Sequence, residues 1–278
     1  MTARNDVQYG PRLVTTATGR LRSALLTRPS AAIERAEPLI GEPGAIYSRA
    51  LEQLDVLRKT LEYFGVETTV VQARGDEPCE VAAADTAVLF EDGAALMRLT
   101  SLARRAEVDR MEAEFGAIDV PLAGRITAPG LLDGNDVLLA GRTAFLGIGV
   151  RGNELGRSGF AQLAQAHGYR VVEVKLAPGL GPLRAVAGAV AEDTIAVGRD
   201  CVDLDAFDGF RTIVLEPGEG QAAGVLPLGE RHVIADIRFR TALAAMRRAG
   251  ITVEALDLYE FNKLGLTPSM LTLALRRE

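Results

Sequence analysis

The sequence predicts an α/β fold, a closed five-bladed α/β propeller of ββαβ-like repeats, occupying residues 1–278 as one domain. Three observations predict it. A strand–hairpin–helix–strand order recurs with a period of roughly 40–50 residues, the range of propellers and arrays. Each copy opens on two short apolar runs split by a Gly, Asp or Glu turn, the pattern of a hairpin. No copy carries the Gly-rich strand-to-helix loop that a doubly wound nucleotide fold needs. The spacing Gly147-x-Gly149-x-x-Gly152 fits that loop on paper, but no acid follows a second strand about 20 residues on.

The first copy has a strand at Ser23–Thr27, a long helix about Ala45–Phe64 and a strand at Glu67–Val71. Its hairpin partner is missing, and the C-terminal run Met270–Leu275 would supply it and close the ring. Ahead of it, residues 1–18 read as a loosely ordered N-terminal segment. The second copy is the clearest: strands Thr86–Phe90 and Ala94–Leu99 flank Glu91-Asp92-Gly93. Arg104–Phe115 then spaces Val108, Met111 and Phe115 on one helical face, and Ile118–Leu122 reads as the closing strand. The third copy has strands Asp136–Ala140 and Ala144–Ile148, a helix Glu154–His167 and a strand Tyr169–Val174. The fourth has strands Ala185–Val190 and Thr194–Val197, a short helix near Leu204–Phe207 and a strand Thr212–Leu215. The fifth has Gly224–Leu228, His232–Asp236, the helix Arg240–Arg248 and the strand Thr252–Leu256. Units that cannot bury their apolar strands alone must stack on one another, which favours one closed body.

Composition narrows the function. With 48% hydrophobic and 24% charged residues the 278-residue chain is globular. A net charge of −6 speaks against a nucleic-acid partner, which needs clustered Lys and Arg. The doublets Arg247-Arg248 and Arg276-Arg277 read as solvated faces. Two cysteines, Cys79 and Cys201, read as free thiols of a reducing compartment. The N-terminus lacks the apolar core of a signal peptide, and no run of about 18 apolar residues spans a membrane, so the expected location is the cytoplasm. Two separated histidines and two separated cysteines give no metal-ligand cluster, and no cofactor motif is present. A homo-oligomer is compatible with the sequence.

Several short segments then become specific. Ala84-Asp85-Thr86-Ala87-Val88 resembles the "E-D-x-A-V" segment of the dimethylarginine dimethylaminohydrolases and arginine deiminases. Leu102 to Asp109 resembles that superfamily's "P-S-R-R-x-E-V-D" helix start, and Leu132-Asp133-Gly134-Asn135-Asp136-Val137-Leu138 its "L-D/E-G-G-D-V-L". Gly141-Arg142 and Gly147-x-x-x-Arg151-Gly152-Asn153 resemble "G-R … G-x-S-x-R-T-N". The matches run in order from Asp85 to about Val174, with weaker similarity at Gly19–Pro29 and in the C-terminal third. The resemblance implies the pentein fold, which is the five-bladed propeller that the repeats predict independently.

It also implies a chemistry. In that superfamily acids grip a guanidinium cation, a cysteine thiolate attacks its central carbon, and a histidine oriented by a carboxylate protonates the departing amine. Carried over by position, Asp85 is the guanidinium-binding acid, though Ala84 replaces the adjoining Glu. Arg104 and Arg151 hold the substrate's amino-acid end, Asp133 orients the histidine, and Asp136 is the second acid of its motif. Each also has a bland reading: Asp85 opens a strand, Asp133 belongs to a turn, and Arg104 starts a helix at solvent.

The catalytic pair itself is not retained. Where the superfamily has "G-L-x-C-x-S-L" this chain reads Gly265-Leu266-Thr267-Pro268-Ser269-Met270-Leu271, with Pro268 at the cysteine's place. The "G-L-H" loop is matched by Gly179-Leu180-Gly181-Pro182. His167 and His232 lie elsewhere, His167 at a helix C-terminus that favours a charged imidazole. The resulting expectation is a non-catalytic or strongly diverged relative that binds an arginine-like or small zwitterionic ligand. Two alternatives stand beside it. One is a hydrolase of a guanidino or amide C–N bond using Asp133 and Ser269. The other is a protein-interaction scaffold.

Overall fold

Each expected blade is a three-stranded sheet in the computed structural model, which describes residues 13–39 and 42–278. The fifteen strands are β1 Leu21–Arg28, β2 Glu67–Gln72, β3 Ala87–Leu89, β4 Ala94–Leu96, β5 Leu122–Arg125, β6 Val137–Ala140, β7 Thr143–Ile148, β8 Arg170–Lys175, β9 Ala187–Ala191, β10 Thr194–Gly198, β11 Arg211–Leu215, β12 Leu226–Gly229, β13 His232–Asp236, β14 Thr252–Leu256 and β15 Thr272–Arg277. They form five sheets, β15-β1-β2, β3-β4-β5, β6-β7-β8, β9-β10-β11 and β12-β13-β14. In each sheet the first pair is antiparallel and the second parallel. The C-terminal strand therefore completes the first blade, with Leu25 opposite Leu273, and closes the ring of a five-bladed α/β propeller.

The inner strands β3 and β9 are buried at every residue, because one face meets the next blade and the other the propeller axis. Small residues dominate there for a steric reason. A Cβ on Gly188 of β9 would stand 2.1 Å from the carbonyl oxygen of Ala223. Outside the strands lie amphipathic helices: α1 Tyr47–Tyr63, α2 Ala106–Ala117, α3 Glu154–Ala166 and, after the four-residue α4 Leu183–Val186, α5 Arg240–Arg248. Two further one-turn helices follow, α6 Tyr259–Asn262 and α7 Pro268–Leu271. The buried face of α2 carries Val108, Met111 and Phe115, the stripe read from the sequence. Asn153 caps α3 by accepting from Gly156 N–H at 2.8 Å, and His167 ends it.

Some boundaries differ from expectation. The strand expected at Ile118–Leu122 begins only at Leu122, because α2 runs to Ala117 and Asp119 turns the chain with a left-handed φ of 56°. The helix expected near Leu204–Phe207 is a single 3₁₀ turn capped by Asp203, too short to bury a stripe. Met270 and Leu271 are the end of α7 rather than the start of a strand. Residues 13–18, expected to be loosely ordered, are held in the ring. Leu13 N–H donates to the Glu91 carbonyl at 2.8 Å, and the Thr18 side chain is fully buried. Residues 1–12 of that segment lie outside the described residues. No helix among the described residues is long and apolar enough to cross a membrane.

One repeated feature sets up the site. Every inner strand is entered from a single helical turn: Ala83–Asp85 before β3, Gly134–Asp136 before β6, α4 before β9, Gly220–Ala223 before β12 and α7 before β15. These five turns touch one another in a ring around the axis. Close approach is built into it, since a Cβ on Gly134 would stand 2.2 Å from the Ala84 carbonyl oxygen.

Candidate functional site

The ring of turns gathers side chains that are far apart in sequence onto one end of the axis. Asp85 and Asp136 end their turns, Asp133 precedes one, Arg184 lies in α4, and Ser269 lies in α7. Asp85 is fully buried and held by several side chains. Its Oδ2 accepts from Arg104 Nη1 at 2.6 Å and its Oδ1 from Asn135 Nδ2 at 2.7 Å. Arg104 also makes a bidentate pair with Glu107, with Nε and Nη2 each donating at 2.8 Å. Burial would push the Asp85 carboxyl up, but the charges of Arg104 and Arg151 outweigh it, with help from the Arg104 and Asn135 hydrogen bonds, and hold it below the usual carboxylate range.

Arg151 is the accessible member of the group, with 29% of its side chain exposed. Its Nη1 lies 3.6 Å from Asp85 Oδ2 and 3.8 Å from Asp133 Oδ2. The two carboxylates expected to face one cavity are thus close enough to share one guanidinium. Asp133 Oδ1 accepts from Thr100 N–H at 2.7 Å. Its carboxyl is pushed up by burial and by the neighbouring charge of Asp85. Asp136 Oδ1 accepts from Leu183 N–H at 2.9 Å, while its Oδ2 is buried without a hydrogen-bond partner. Burial pushes Asp136 up to about 7. Gly147 belongs to this packing and not to a phosphate loop, because a Cβ there would stand 2.6 Å from Asp136 Oδ1.

The expected residues Asp85, Arg104, Asp133, Asp136 and Arg151 therefore lie in one region, but Arg104 is placed differently from expectation. It is not a helix start at solvent, being 6% exposed, and it does not stand at the opposite end of a pocket from Asp85. Its guanidinium is occupied by Asp85 and Glu107, so it fixes the acid and leaves Arg151 as the accessible cation. Sequence reasoning passed over Asn135 and Glu107, although both sit inside the quoted motifs. It also passed over Arg184, which occupies the turn equivalent to those of Asp85 and Asp136. The doublet Arg276-Arg277 was read as solvated, yet Arg277 is 4% exposed. Strand alternation puts it on the face of Leu273 and Leu275, both buried.

Around the expected nucleophile positions the chemistry is sparse. Pro268 opens α7. Ser269 Oγ has Thr267 Oγ1 at 3.3 Å and the Arg184 carbonyl at 3.4 Å as partners, and neither is a base. His232 pairs with Glu254 at 2.8 Å and meets Phe64 edge-on. His167 pairs with Asp92 at 2.9 Å and stacks on Phe90. Cys79 and Cys201 are free thiols, and burial pushes both thiols up, away from the thiolate.

A five-bladed α/β propeller whose entry turns carry buried acids and arginines at the axis defines a protein of the pentein fold. The chain belongs to the dimethylarginine dimethylaminohydrolase family. It is 30% identical over 260 residues to the N(G),N(G)-dimethylarginine dimethylaminohydrolase of Streptomyces coelicolor, covering 92% of this chain and 97% of the relative. The dimethylarginine dimethylaminohydrolase of Pseudomonas aeruginosa, solved as a variant complexed with citrulline, shares the fold with a TM-score of 0.83 at 20% identity, over 91% of this chain and 99% of that one. The N-terminal domain of ArgZ, a cyanobacterial arginine dihydrolase solved bound to substrate, shares it with a TM-score of 0.79 at 18% identity, over 92% of this chain and 98% of that one. No protein-family model matches the chain.

Proposed function

We propose that this protein binds the cationic tail of an arginine-like, zwitterionic small molecule between Asp85 and Asp133 and does not carry out the C–N hydrolysis of its relatives. One observation carries the reading: the Arg151 guanidinium lies 3.6 and 3.8 Å from those two carboxylates, so a guanidinium from a ligand fits where an internal one already rests. A ligand tail would replace Arg151 there, and the released, partly exposed arginine would meet the ligand's carboxylate. Each charge-assisted hydrogen bond in such an exchange is worth about 1.5–3 kcal/mol. Arg104 and Asn135 keep Asp85 ionised and oriented throughout.

The non-catalytic half of the proposal rests on Pro268 and on the "G-L-G-P" loop at the positions where the resemblance places a thiolate and an imidazole. Nucleophile and base act as a unit, so a site without both loses nearly all of the covalent route. A serine hydroxyl needs an adjacent base, and Ser269 has a hydroxyl and a carbonyl for partners.

Calorimetry with arginine, its methylated derivatives and citrulline tests the binding, alongside an assay for citrulline production. The parent is expected to bind at least one of the arginines and to release no citrulline above the buffer rate. Asp133→Asn is expected to weaken binding roughly ten- to a hundredfold, the loss of one charged hydrogen bond. Equal affinities in parent and variant would remove the pocket assignment. Citrulline production that disappears in Ser269→Ala would replace the non-catalytic reading with a serine hydrolase.

A further inference from the structure

Below the acidic cluster the inner strands enclose a channel cavity of about 100 Å³. Most of its wall is apolar: Ala87, Leu138, Ala187, Leu226 and Leu273 come from five different blades. Two cations also line it, Arg184 from α4 and Arg277 from the last residue of β15. Neither Asp nor Glu lines it among the described residues, and Asp85, Asp133 and Arg151 are not part of it.

Arg277 is buried and Arg184 half-buried, and both differ from the buried, paired cations Arg104 and Lys263. Arg104 is matched by Asp85 and Glu107, and Lys263 by Glu260 at 2.8 Å. By contrast, among the described residues Arg184 is met by the Ser269 carbonyl and Arg277 by the Gly19 carbonyl at 3.0 Å, with no carboxylate partner for either. Burial lowers both guanidinium groups, Arg184 to about 10 and Arg277 to about 9, the latter also through the repulsion of Arg184. Both are still cations at neutral pH. A carbonyl engages one edge of a planar group that has five N–H donors, so each retains donors suited to an acceptor in the channel. Two like charges in a small apolar space destabilise the fold, and the same two charges bind an anion placed between them strongly, because little water competes.

We propose that the channel is a binding site for a small anion, monatomic or a compact oxyanion or carboxylate, held between the Arg184 and Arg277 guanidinium groups. It borders the guanidino-ligand site at Arg184 and Ser269, while Asp85, Asp133 and Arg151 do not line it. The wall sets the class, since two guanidinium groups are the charges that line an otherwise largely apolar cavity with room for a chloride, nitrate, formate or phosphate ion.

Titration of the full chain with each of those four anions, in a Tris–HEPES buffer, tests this by calorimetry and thermal shift. Saturable binding of at least one anion is expected, with its Kd raised at least tenfold in Arg184→Met and in Arg277→Met. Arg248→Met, on the exposed face of α5, is expected to bind as the parent does. Arg277→Met is also expected to melt higher than the parent in the anion-free buffer, since a buried repulsion is gone. If one of the two channel variants does not fold, the other reads the same affinity. No saturable binding of any of the four, or equal affinity in the channel variants and the parent, would overturn the proposal. Asp133→Asn is expected to leave anion affinity unchanged, and loss of anion binding there would overturn the distinction between the two sites.

Discussion

Replacing Asp136 with Asn should remove a pH-dependent weakness from this fold. Asp136 is fully buried, its Oδ1 is satisfied by Leu183 N–H, and its Oδ2 has no hydrogen-bond partner. The carboxyl is consequently raised from 3.8 to about 7. The native state then holds a proton that the unfolded chain releases, so stability is lost as pH rises from about 4 to about 7 and stays low above that. At 1.36 kcal/mol per unit the full span is worth about 4 kcal/mol, of which about 2–3 kcal/mol falls between pH 5 and pH 8. Asn keeps the acceptor for Leu183 but presents a buried amide in place of Oδ2, which costs about 1–3 kcal/mol at every pH. The variant should therefore gain on the parent by about 2–3 kcal/mol between pH 5 and pH 8, whatever its absolute stability. Urea unfolding of both proteins at four pH values in that range measures the difference, and other titrating groups cancel in it. Parallel stability curves would show that Asp136 is ionised in the folded protein at pH 5, and the account of its burial would be wrong.

Two further predictions concern buried contacts, one within the ring of turns and one beside α6. Gly134→Ala places a methyl 2.2 Å from the Ala84 carbonyl, which is backbone and cannot swing aside, so the variant should lose about 1–3 kcal/mol in urea unfolding; an unchanged midpoint would show that the two turns are not in contact. Lys263→Met leaves Glu260 as a buried anion against the N–H of Ile46 alone, which should cost about 3–5 kcal/mol at neutral pH, and adding Glu260→Gln should restore much of it; a double variant no more stable than the single one would refute the pairing.

What was legible in the sequence was what periodicity encodes. In the fifth unit α5 at Arg240–Arg248 and β14 at Thr252–Leu256 match the expected bounds, with Gly250 marking the turn between them, while its first strand runs Leu226–Gly229 rather than Gly224–Leu228. The entry turns were not legible, since one helical turn is shorter than any window in which a 3.6-residue period can be counted. That loss matters, because these turns carry the site. A motif match could supply Asp85, Asp133 and Arg151 by position, but not which arginine is spent on neutralising which acid. Only the geometry gives that, and it changes the charge arithmetic of the pocket. Asp85, Glu107 and Asp133 stand against Arg104 and Arg151, with Arg184 close enough to feel the charge of Asp85. Asp136, raised to about 7, adds only part of a charge at neutral pH. Under the proposed reading, displacing Arg151 frees the Asp85 and Asp133 carboxylates for one ligand cation. Had Ala84 been the superfamily's glutamate, a second cation would have been needed beside Asp85. Under the proposed reading the missing acid and the buried Arg104 are consistent with each other, and together they leave Arg151 as the group that the proposed ligand would displace.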